Sequence, residues 1–378
     1  MKKATLSSLE LLSPLPDLFL RPDGTRAASR ADWEAHRAEL YRTAVGMQYG
    51  GMPPEPEFLE VETLYTCDVT CSYRIHTGRR AHPITFVMQV ILPAKKADKY
   101  PIIVDGDGCF AYVYRDEHLK LMSDFGAAFV RFNRTELAHD IKADVHPDGL
   151  YAVYPNEGFG ALAAWAWGYH RCVDAVLQLG IADPSLIAFT GHSRGGKTAL
   201  LAGATDPRAV IVNPNGSGAG GAGCYRIHSV TLCENGETRR SERLSDLLKN
   251  FPFWFGREMQ PYAENEAELP FDEHMLKALV APRILLDTEA RSDAWANPAG
   301  TYLTYLAAKE AYRFLDAEEN CLIHYREGFH KHTGEDFRIL LNVMEHVRSG
   351  APLDPAIGLP PFEGLTPVHE WRAPEAAN

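Results

Sequence analysis

The sequence predicts an α/β protein in which a mostly parallel sheet is flanked by helices on both faces. Two observations predict it. Short apolar runs such as 101–104 and 127–130 have the continuous hydrophobicity of strands that are buried on both faces. Further along the chain such runs alternate with helix-forming segments, of which the longest spans about 160–179. Alternation of this length implies parallel strands that are joined by right-handed crossovers.

The individual elements follow from periodicity and from breaker residues. Predicted strands span 58–66 and 85–92, both expected to be antiparallel, then 101–104, 127–130, 186–190, 209–212, 283–286 and 322–325. Predicted helices span 31–45, 160–179, the segment after Ser193, 301–314 and 335–347. We expect residues 1–55 to form an N-terminal helical arm packed on the main domain, 56–378. Within 216–271 the alternation lapses, which predicts a cap-like excursion from the sheet.

Composition narrows the class of protein. The chain has 378 residues, of which 46% are hydrophobic, enough for a large core. Its formal net charge of −12 and the lack of a basic run argue against nucleic acid or an anionic membrane as partners. No segment has the length of a membrane span.

The N-terminus and the cysteines predict a cytoplasmic location. Met1-Lys2-Lys3 resembles the start of a signal peptide, but Glu10 and Pro14 interrupt the apolar core that export requires. The seven cysteines are scattered and suit a reducing compartment. A local bridge between Cys67 and Cys71 stays open.

The most informative motif is Gly191-His192-Ser193-Arg194-Gly195-Gly196-Lys197. It follows a predicted strand and precedes a helix-forming run, which is the context of a nucleophile elbow rather than of an ordinary Gly/Ser turn. The glycines allow a sharp turn that exposes the Ser193 hydroxyl. We therefore predict a serine hydrolase of the α/β-hydrolase fold, a three-layer sandwich with Ser193 as nucleophile.

The general base is expected in the loop that follows the last strand. That loop, 327–332, contains His330 and His332. We favour His330, because it stands at the strand exit near the edge where Ser193 emerges, whereas His332 stands at the entry to the helix. A metal site built on this His-x-His pair is not expected, since a third ligand at a recognisable spacing is missing.

The acid is expected after the strand 283–286. Asp287 and Glu289 lie at the predicted strand end, where a carboxylate could cap the loop or pair with an arginine. Asp293 lies in the loop before the next helix, where a carboxylate can accept a hydrogen bond from the imidazole and fix its tautomer. We favour Asp293, with Glu289 as the alternative.

Two cations follow the nucleophile within one turn. Arg194 and Lys197 can meet an oxyanion or a polyhydroxylated or anionic substrate. The alternative is that one pairs with a buried Asp while the other extends to solvent. The sequence leaves both interpretations of Lys197 open.

The run GHSRGGKTALLAGATDPR at 191–208 and the Gly-rich segment 217–226 resemble the glucuronoyl esterases (carbohydrate esterase family 15). These are α/β-hydrolases that cleave the ester between lignin alcohols and the glucuronate side groups of xylan. Segments 160–168, 293–300 and 326–330 are similar as well. The resemblance implies that Ser193 is the nucleophile, Arg194 an oxyanion-stabilising residue and His330 the base. It also implies that Lys197 binds sugar hydroxyls, that Trp295 shapes the uronate pocket, and that His192 belongs with them to the substrate-binding set.

Two departures from the family pattern stand out. His192 replaces the cysteine that precedes the nucleophile. Asn215-Gly216-Ser217 replaces a Gln-Glu-Ser step, so the acid that many members carry there is missing, which agrees with Asp293.

The sequence thus predicts a serine carboxylester hydrolase that acts through an acyl-enzyme on a small carbohydrate ester, a uronate ester by resemblance. The alternatives are an acetyl esterase or lactonase on the same fold, or a non-catalytic binding protein with a hydrolase fold. Neither a metal nor an organic cofactor is expected. Oligomeric state and the mobility of 216–271 stay open.

Overall fold

The computed structural model describes residues 3–142 and 148–375. Within them the strands are β1 (Thr5–Leu11), β2 (Phe58–Thr66), β3 (Thr70–Arg79), β4 (His82–Ile91), β5 (Tyr100–Asp105), β6 (Ala128–Phe132), β7 (Ala182–His192), β8 (Ile211–Asn215), β9 (Ile227–Leu232), β10 (Thr238–Arg240), β11 (Ile284–Ala290) and β12 (Cys321–Arg326). The α-helices are α1 (Arg30–Tyr41), α2 (Asp116–Phe125), α3 (Leu150–Val153), α4 (Ala161–Gln178), α5 (Arg194–Thr205), α6 (Leu244–Asn250), α7 (Glu273–Ala278), α8 (Pro298–Phe314) and α9 (Gly334–Ser349).

The main sheet of the described chain has the order β12-β11-β8-β7-β5-β6-β4-β3-β2. Its pairs from β12 to β6 are parallel, and β4, β3 and β2 add antiparallel strands at one edge. The sheet is therefore mostly parallel, as predicted, and the chain has the α/β-hydrolase fold. The strand β3 was not predicted, although Cys71, Tyr73, Ile75 and Thr77 alternate with more exposed residues along it.

Successive residues of the central strands face two separate cores. On β5, Ile102 and Val104 pack in the larger core, which includes residues of α1, α4, α5 and α8. The intervening Ile103 packs in a second core with residues of α2 and α9. Helices on both faces explain why these strands are continuously apolar, since neither face of the sheet meets water.

The segments outside this sandwich are held by backbone pairing. β1 pairs antiparallel with β9, which lies inside the 216–271 excursion, and β10 pairs with the other edge of β9. In the N-terminal segment Phe19 and Trp33 are fully buried. The predicted helix 31–45 is present as α1, which continues as a π-helix over Arg42–Met47.

One strand extends beyond its predicted end. β11 continues to Ala290, so Asp287 and Glu289 lie inside the strand and not in a loop after it. Asp287 forms a buried ion pair with Lys277 of α7, with 2.6 Å between Oδ2 and Nζ. The tertiary partner on α7 allows a carboxylate to stay inside a buried strand.

Candidate active site

The turn between β7 and α5 contains Ser193, whose backbone angles are φ 58° and ψ −120°. A positive φ is uncommon for a non-glycine residue and is typical of a strained functional turn. The turn requires glycine at two positions near Ser193, because a side chain there would collide with other atoms. A Cβ on Gly191 would lie 2.4 Å from the Gly195 carbonyl oxygen, and a Cβ on Gly195 would lie 2.0 Å from Asp107 Oδ2. The structure therefore places Ser193 on a tight strand-to-helix elbow.

The structure brings His330 and Asp293 together. His330 follows β12, Asp293 follows β11, and their Nδ1 and Oδ2 atoms are 2.6 Å apart. Because a carboxylate only accepts hydrogen bonds, the neutral form of the His330 imidazole has its proton on Nδ1 and its lone pair on Nε2. The Asp293 side chain is 3% exposed and the His330 side chain 38% exposed. A buried carboxylate thus orients an accessible imidazole.

The two alternative candidates lie in the interior. Glu289 is buried, and Thr301 Oγ1 donates to its Oε1 at 3.3 Å. Burial, together with the charges of Asp293 and Asp287, raises the pKa of the Glu289 carboxyl well above its usual range. His332 is buried and stacks on Phe337 with 4.3 Å between ring centroids.

His192 lies directly beside His330, with 4.4 Å between ring centroids. Its backbone N–H donates to Asp107 Oδ2 at 3.0 Å, and its Nδ1 lies 2.7 Å from Asn215 Oδ1. Burial, and then the charge that His330 carries when protonated, lower the pKa of His192 to about 4. His192 therefore stays neutral when His330 takes up a proton. Its predicted contact with substrate stays a prediction.

Arg194, the first residue of α5, is held on the side of the elbow by Asp140. Arg194 Nη1 donates to Asp140 Oδ2 at 2.7 Å, and Trp254 Nε1 donates to Asp140 Oδ1 at 3.0 Å. The guanidinium lies 4.9 Å from the Trp254 ring centroid and 5.2 Å from that of Phe251. The guanidinium is thus held by Asp140 between two aromatic rings, and its predicted role in stabilising an oxyanion stays a prediction.

Lys197 is buried, and its ammonium group has three oxygen partners. Its Nζ donates to the Ser217 carbonyl at 2.7 Å, to the Ala219 carbonyl and to Glu242 Oε2 at 3.0 Å. An ammonium group has three N–H donors, so these contacts use all of them. Lys197 therefore forms a buried ion pair, as in the second of the two interpretations from sequence. Its partner is Glu242 and not an aspartate. Direct bonding to a sugar stays a prediction.

Trp295 is 43% exposed. It lines a cleft of about 500 Å³ together with Arg239, Arg240, Ser292, Asp293, Ala294, Phe329 and His330. The cleft is thus open to a small molecule and contains the candidate base. Trp295 and His330, which the sequence places 35 positions apart, meet at this cleft.

A buried polar network lies behind the elbow and was not predicted from the sequence. Asp107 accepts hydrogen bonds from the His192 N–H, from the Tyr112 hydroxyl and from the fully buried Arg134. Arg134 Nη2 also lies 3.4 Å from Asp140 Oδ2. A signal was available, because Asp105-Gly106-Asp107-Gly108 directly follows a buried strand at the edge where Ser193 emerges.

Among the described residues no group of three or more His, Cys, Asp or Glu side chains is arranged to hold a metal ion. No helix in the same ranges is both long and apolar enough to cross a bilayer.

Comparisons with known proteins show the family of the chain. Residues 75–316 match the sequence profile of the family described as glucuronyl esterase, fungi. A 4-O-methyl-glucuronoyl methylesterase of Podospora anserina is 31% identical over 81% of this chain, which spans 61% of that relative's length. A second, from Wolfiporia cocos, is 30% identical over 80% of this chain and 72% of the relative.

Solved structures show the same fold. A family 15 glucuronoyl esterase from Caldicellulosiruptor kristjansonii has a TM-score of 0.77 and 28% identity, covering 94% of this chain and 97% of that one. The glucuronoyl esterase catalytic domain of Hypocrea jecorina has a TM-score of 0.78 at 24% identity, covering 98% of this chain and 99% of that one. With the profile match over most of the chain and the nucleophile elbow beside the His330–Asp293 pair, the chain belongs to the glucuronoyl esterase family.

Proposed function

We propose that this chain is a serine carboxylester hydrolase that cleaves the ester of a uronic acid through an acyl-enzyme on Ser193. One observation carries the mechanism: the elbow residue Ser193 adjoins His192, whose ring lies 4.4 Å from that of His330, and His330 is bound to Asp293. The substrate class comes from the two relatives, both of which are 4-O-methyl-glucuronoyl methylesterases.

In the proposed first step His330 Nε2 takes the proton of the Ser193 hydroxyl, whose oxygen attacks the ester carbonyl. Asp293 stabilises the imidazolium that forms. The Arg194 guanidinium and the N–H groups at the start of α5 stabilise the oxyanion. The imidazolium then protonates the departing alcohol as the carbon–oxygen bond breaks.

In the second step a water molecule gives its proton to His330 and attacks the acyl carbon. The Ser193 oxygen leaves with the proton from His330, and the free uronic acid is released. The neutral His192 beside His330 adds no positive charge that would oppose either proton transfer.

The cleft beside His330 is proposed to hold the sugar. Trp295 forms one wall of it. Lys197 fixes the Gly-rich segment that begins at Ser217, and it anchors Glu242 next to Trp295, whose carbonyl accepts the Glu242 N–H at 3.0 Å. Location in the cytoplasm and turnover of a small soluble ester stay predictions from the sequence.

The test is the initial rate on benzyl glucuronate beside 4-nitrophenyl acetate, for the wild type and for Ser193→Ala. We expect a preference for the uronate ester and its loss in the variant. Ser349→Ala, at the end of α9 with its hydroxyl bonded to Glu345, is the matched control and should behave as the wild type.

Two results would change the proposal. Undiminished turnover by Ser193→Ala excludes the mechanism. Turnover of the acetate alone, still dependent on Ser193, keeps the mechanism and favours an acetyl esterase.

A further inference from the structure

We propose that the cleft beside His330 contains a subsite for a second, anionic group of the substrate, formed by Arg239 and Arg240. The ligand class that fits is a saccharide ester that also carries a free carboxylate. This inference rests on the proposed function, since it names the substrate class of the same cleft.

The charge of the cleft differs from that of the whole protein. The chain has a formal net charge of −12, yet two of the residues that line the cleft are arginines. The one carboxylate in the lining, Asp293, is 3% exposed and bonded to His330. The lining therefore presents two guanidinium groups to a ligand, each of which also pairs with a carboxylate outside the lining.

The guanidinium of Arg240 is held in one orientation by its neighbours. Its Nη1 and Nη2 bind the two carboxylate oxygens of Asp246 at 2.7 and 2.9 Å, and Nη1 also donates to the Ser241 carbonyl. The guanidinium carbon lies 5.7 Å from the centroid of the Trp295 ring. Asp246 and Trp295 thus hold the guanidinium in place.

One edge of this guanidinium stays available. No described residue accepts a hydrogen bond from Arg240 Nε, which with Nη2 forms the side edge of the fork, and the side chain is 46% exposed. That edge suits a carboxylate, because two parallel N–H donors match its two oxygens. Since the ion pair with Asp246 uses the other end of the fork, Arg240 need not release it to bind a ligand.

Arg239 adds a second, exposed cation. Its Nε and Nη2 both donate to Glu237 Oε2, and both side chains are more than half exposed. Exposed pairs of this kind contribute little, so a ligand carboxylate can compete with Glu237. Both arginines belong to the short strand β10, at the free edge of the three-stranded sheet.

The reacting group does not account for these cations. A uronate whose carboxyl is esterified carries no charge on that group. In the proposed mechanism the oxyanion that develops is stabilised by Arg194 and by the N–H groups at the start of α5. The unused Nε–Nη2 edge of Arg240 beside Trp295 therefore matches a separate negative charge on the saccharide.

The test uses two matched substrates. One is a benzyl glucuronate linked to a second, unesterified glucuronate, and the other is the same compound with the free carboxylate reduced to an alcohol. We expect a kcat/KM about five- to tenfold higher for the charged substrate at low salt, as for a charge-assisted contact at an accessible site. The ratio should fall toward one as sodium chloride is added, because salt screens exposed charges.

The variant Arg239→Gln/Arg240→Gln should reduce this ratio to about one. Arg313→Gln removes an arginine that pairs with Glu310 and Glu318 outside the cleft, and it should keep the wild-type ratio. A ratio near one in the wild type, or a preference that persists in the double variant, overturns the subsite. Because each ratio is taken from turnover that Ser193→Ala abolishes, loss of the preference alone leaves the proposed function standing. Turnover that persists in Ser193→Ala overturns the function itself.

Discussion

At the scale of single residues, the pairing of His330 with Asp293 is what distinguishes Asp293 from the other carboxylates near β11. Asp293 lies in the loop after the strand, so its oxygen faces the imidazole at 2.6 Å. Glu289 lies inside the strand, where burial and two neighbouring carboxylates favour its neutral form. A neutral carboxyl group cannot stabilise an imidazolium by charge.

Asp293→Asn should therefore lower kcat by roughly 10³- to 10⁴-fold, as expected when the acid of a triad is replaced by an amide. Glu289→Gln is the matched control and should retain kcat within about threefold, because it replaces one neutral group by another. Initial rates on the same ester measure both. The reverse order of effects would assign the acid to Glu289.

Asp140 holds the guanidinium of Arg194 in position. The effects of a substitution on kcat and on KM can separate such a positioning role from substrate binding. Asp140→Asn removes the charge that holds the guanidinium, so we expect kcat to fall about tenfold with KM nearly unchanged. Asp140→Glu should recover part of that loss.

The control for charge loss alone is Asp316→Asn, which removes the surface partner of Arg30 and should leave kcat as it is. A rise in KM with kcat unchanged in Asp140→Asn would instead assign Asp140 to ground-state binding.

At the scale of elements, the elbow depends on how closely α5 packs on its neighbouring strand β8. A Cβ on Gly203 of α5 would lie 2.2 Å from Val212 Cγ2, so the helix can approach the strand only because this residue has no side chain. The same helix begins at Arg194 and supplies the first N–H groups beside Ser193. Displacement of α5 would therefore affect both stability and catalysis.

Gly203→Ala should lower the free energy of unfolding by about 2 kcal/mol, despite the better helix propensity of alanine, because the added methyl group overpacks the contact. Urea unfolding measures the change. The double variant with Val212→Ala should be less destabilised than the sum of the two single variants, as expected for residues in contact.

Gly46 provides the matched control, since a Cβ there meets no atom within 4 Å. Gly46→Ala should leave stability unchanged or raise it by up to about 1 kcal/mol. A neutral or stabilising Gly203→Ala would contradict the close packing of α5 on β8.

At the scale of the whole molecule, the N-terminal segment is joined to the rest of the chain at several places. β1 pairs with β9, the Trp371 indole donates to the Leu15 carbonyl at 3.0 Å, and His274 Nε2 of α7 donates to the Pro16 carbonyl at 2.9 Å. His274 is buried, which lowers its pKa to about 4. Stability of the fold is thereby linked to the protonation of a buried histidine that contacts the N-terminal segment.

The sign of this linkage follows from the two pKa values. In the unfolded chain His274 titrates near its ordinary value of 6.5, and in the folded chain near 4. The unfolded state therefore binds more protons between these values, so this contribution is complete above pH 6.5 and is lost as the pH falls toward 4. The full contribution is about 3 kcal/mol.

His274→Gln cannot titrate, so its Tm minus that of the wild type should be more positive at pH 4.5 than at pH 7.5. Scanning calorimetry at both values measures the difference. The control variant is His82→Gln, which removes an exposed imidazole rather than a buried one. A Tm difference for His274→Gln that is the same at both pH values would contradict a buried neutral His274.

The sequence by itself determined the central strands and the helices that cover them, because strands buried on both faces leave continuous apolar runs. It also determined the elbow, since the strain at Ser193 requires glycines at fixed offsets that are visible in the chain. His330 and Asp293 could be selected because parallel strands place their following loops at one edge of the sheet. The apolar runs, the elbow glycines and the two loop residues are each visible locally in the sequence. The order of the strands in the sheet then brings the residues of the site together.

Only the tertiary structure decided the partners of buried charges and the pairing of distant strands. The oxygens that bind Lys197 come from 20 to 45 positions away, and Asp140 lies 54 positions from Arg194. The contact between β1 and β9 joins segments more than 200 residues apart, and neither strand has an apolar pattern that predicts the pair. A charge or a strand edge buried in the fold is satisfied by whichever group the packing brings within about 3 Å. Which group becomes the partner depends on proximity in three dimensions, and no local sequence pattern encodes that proximity.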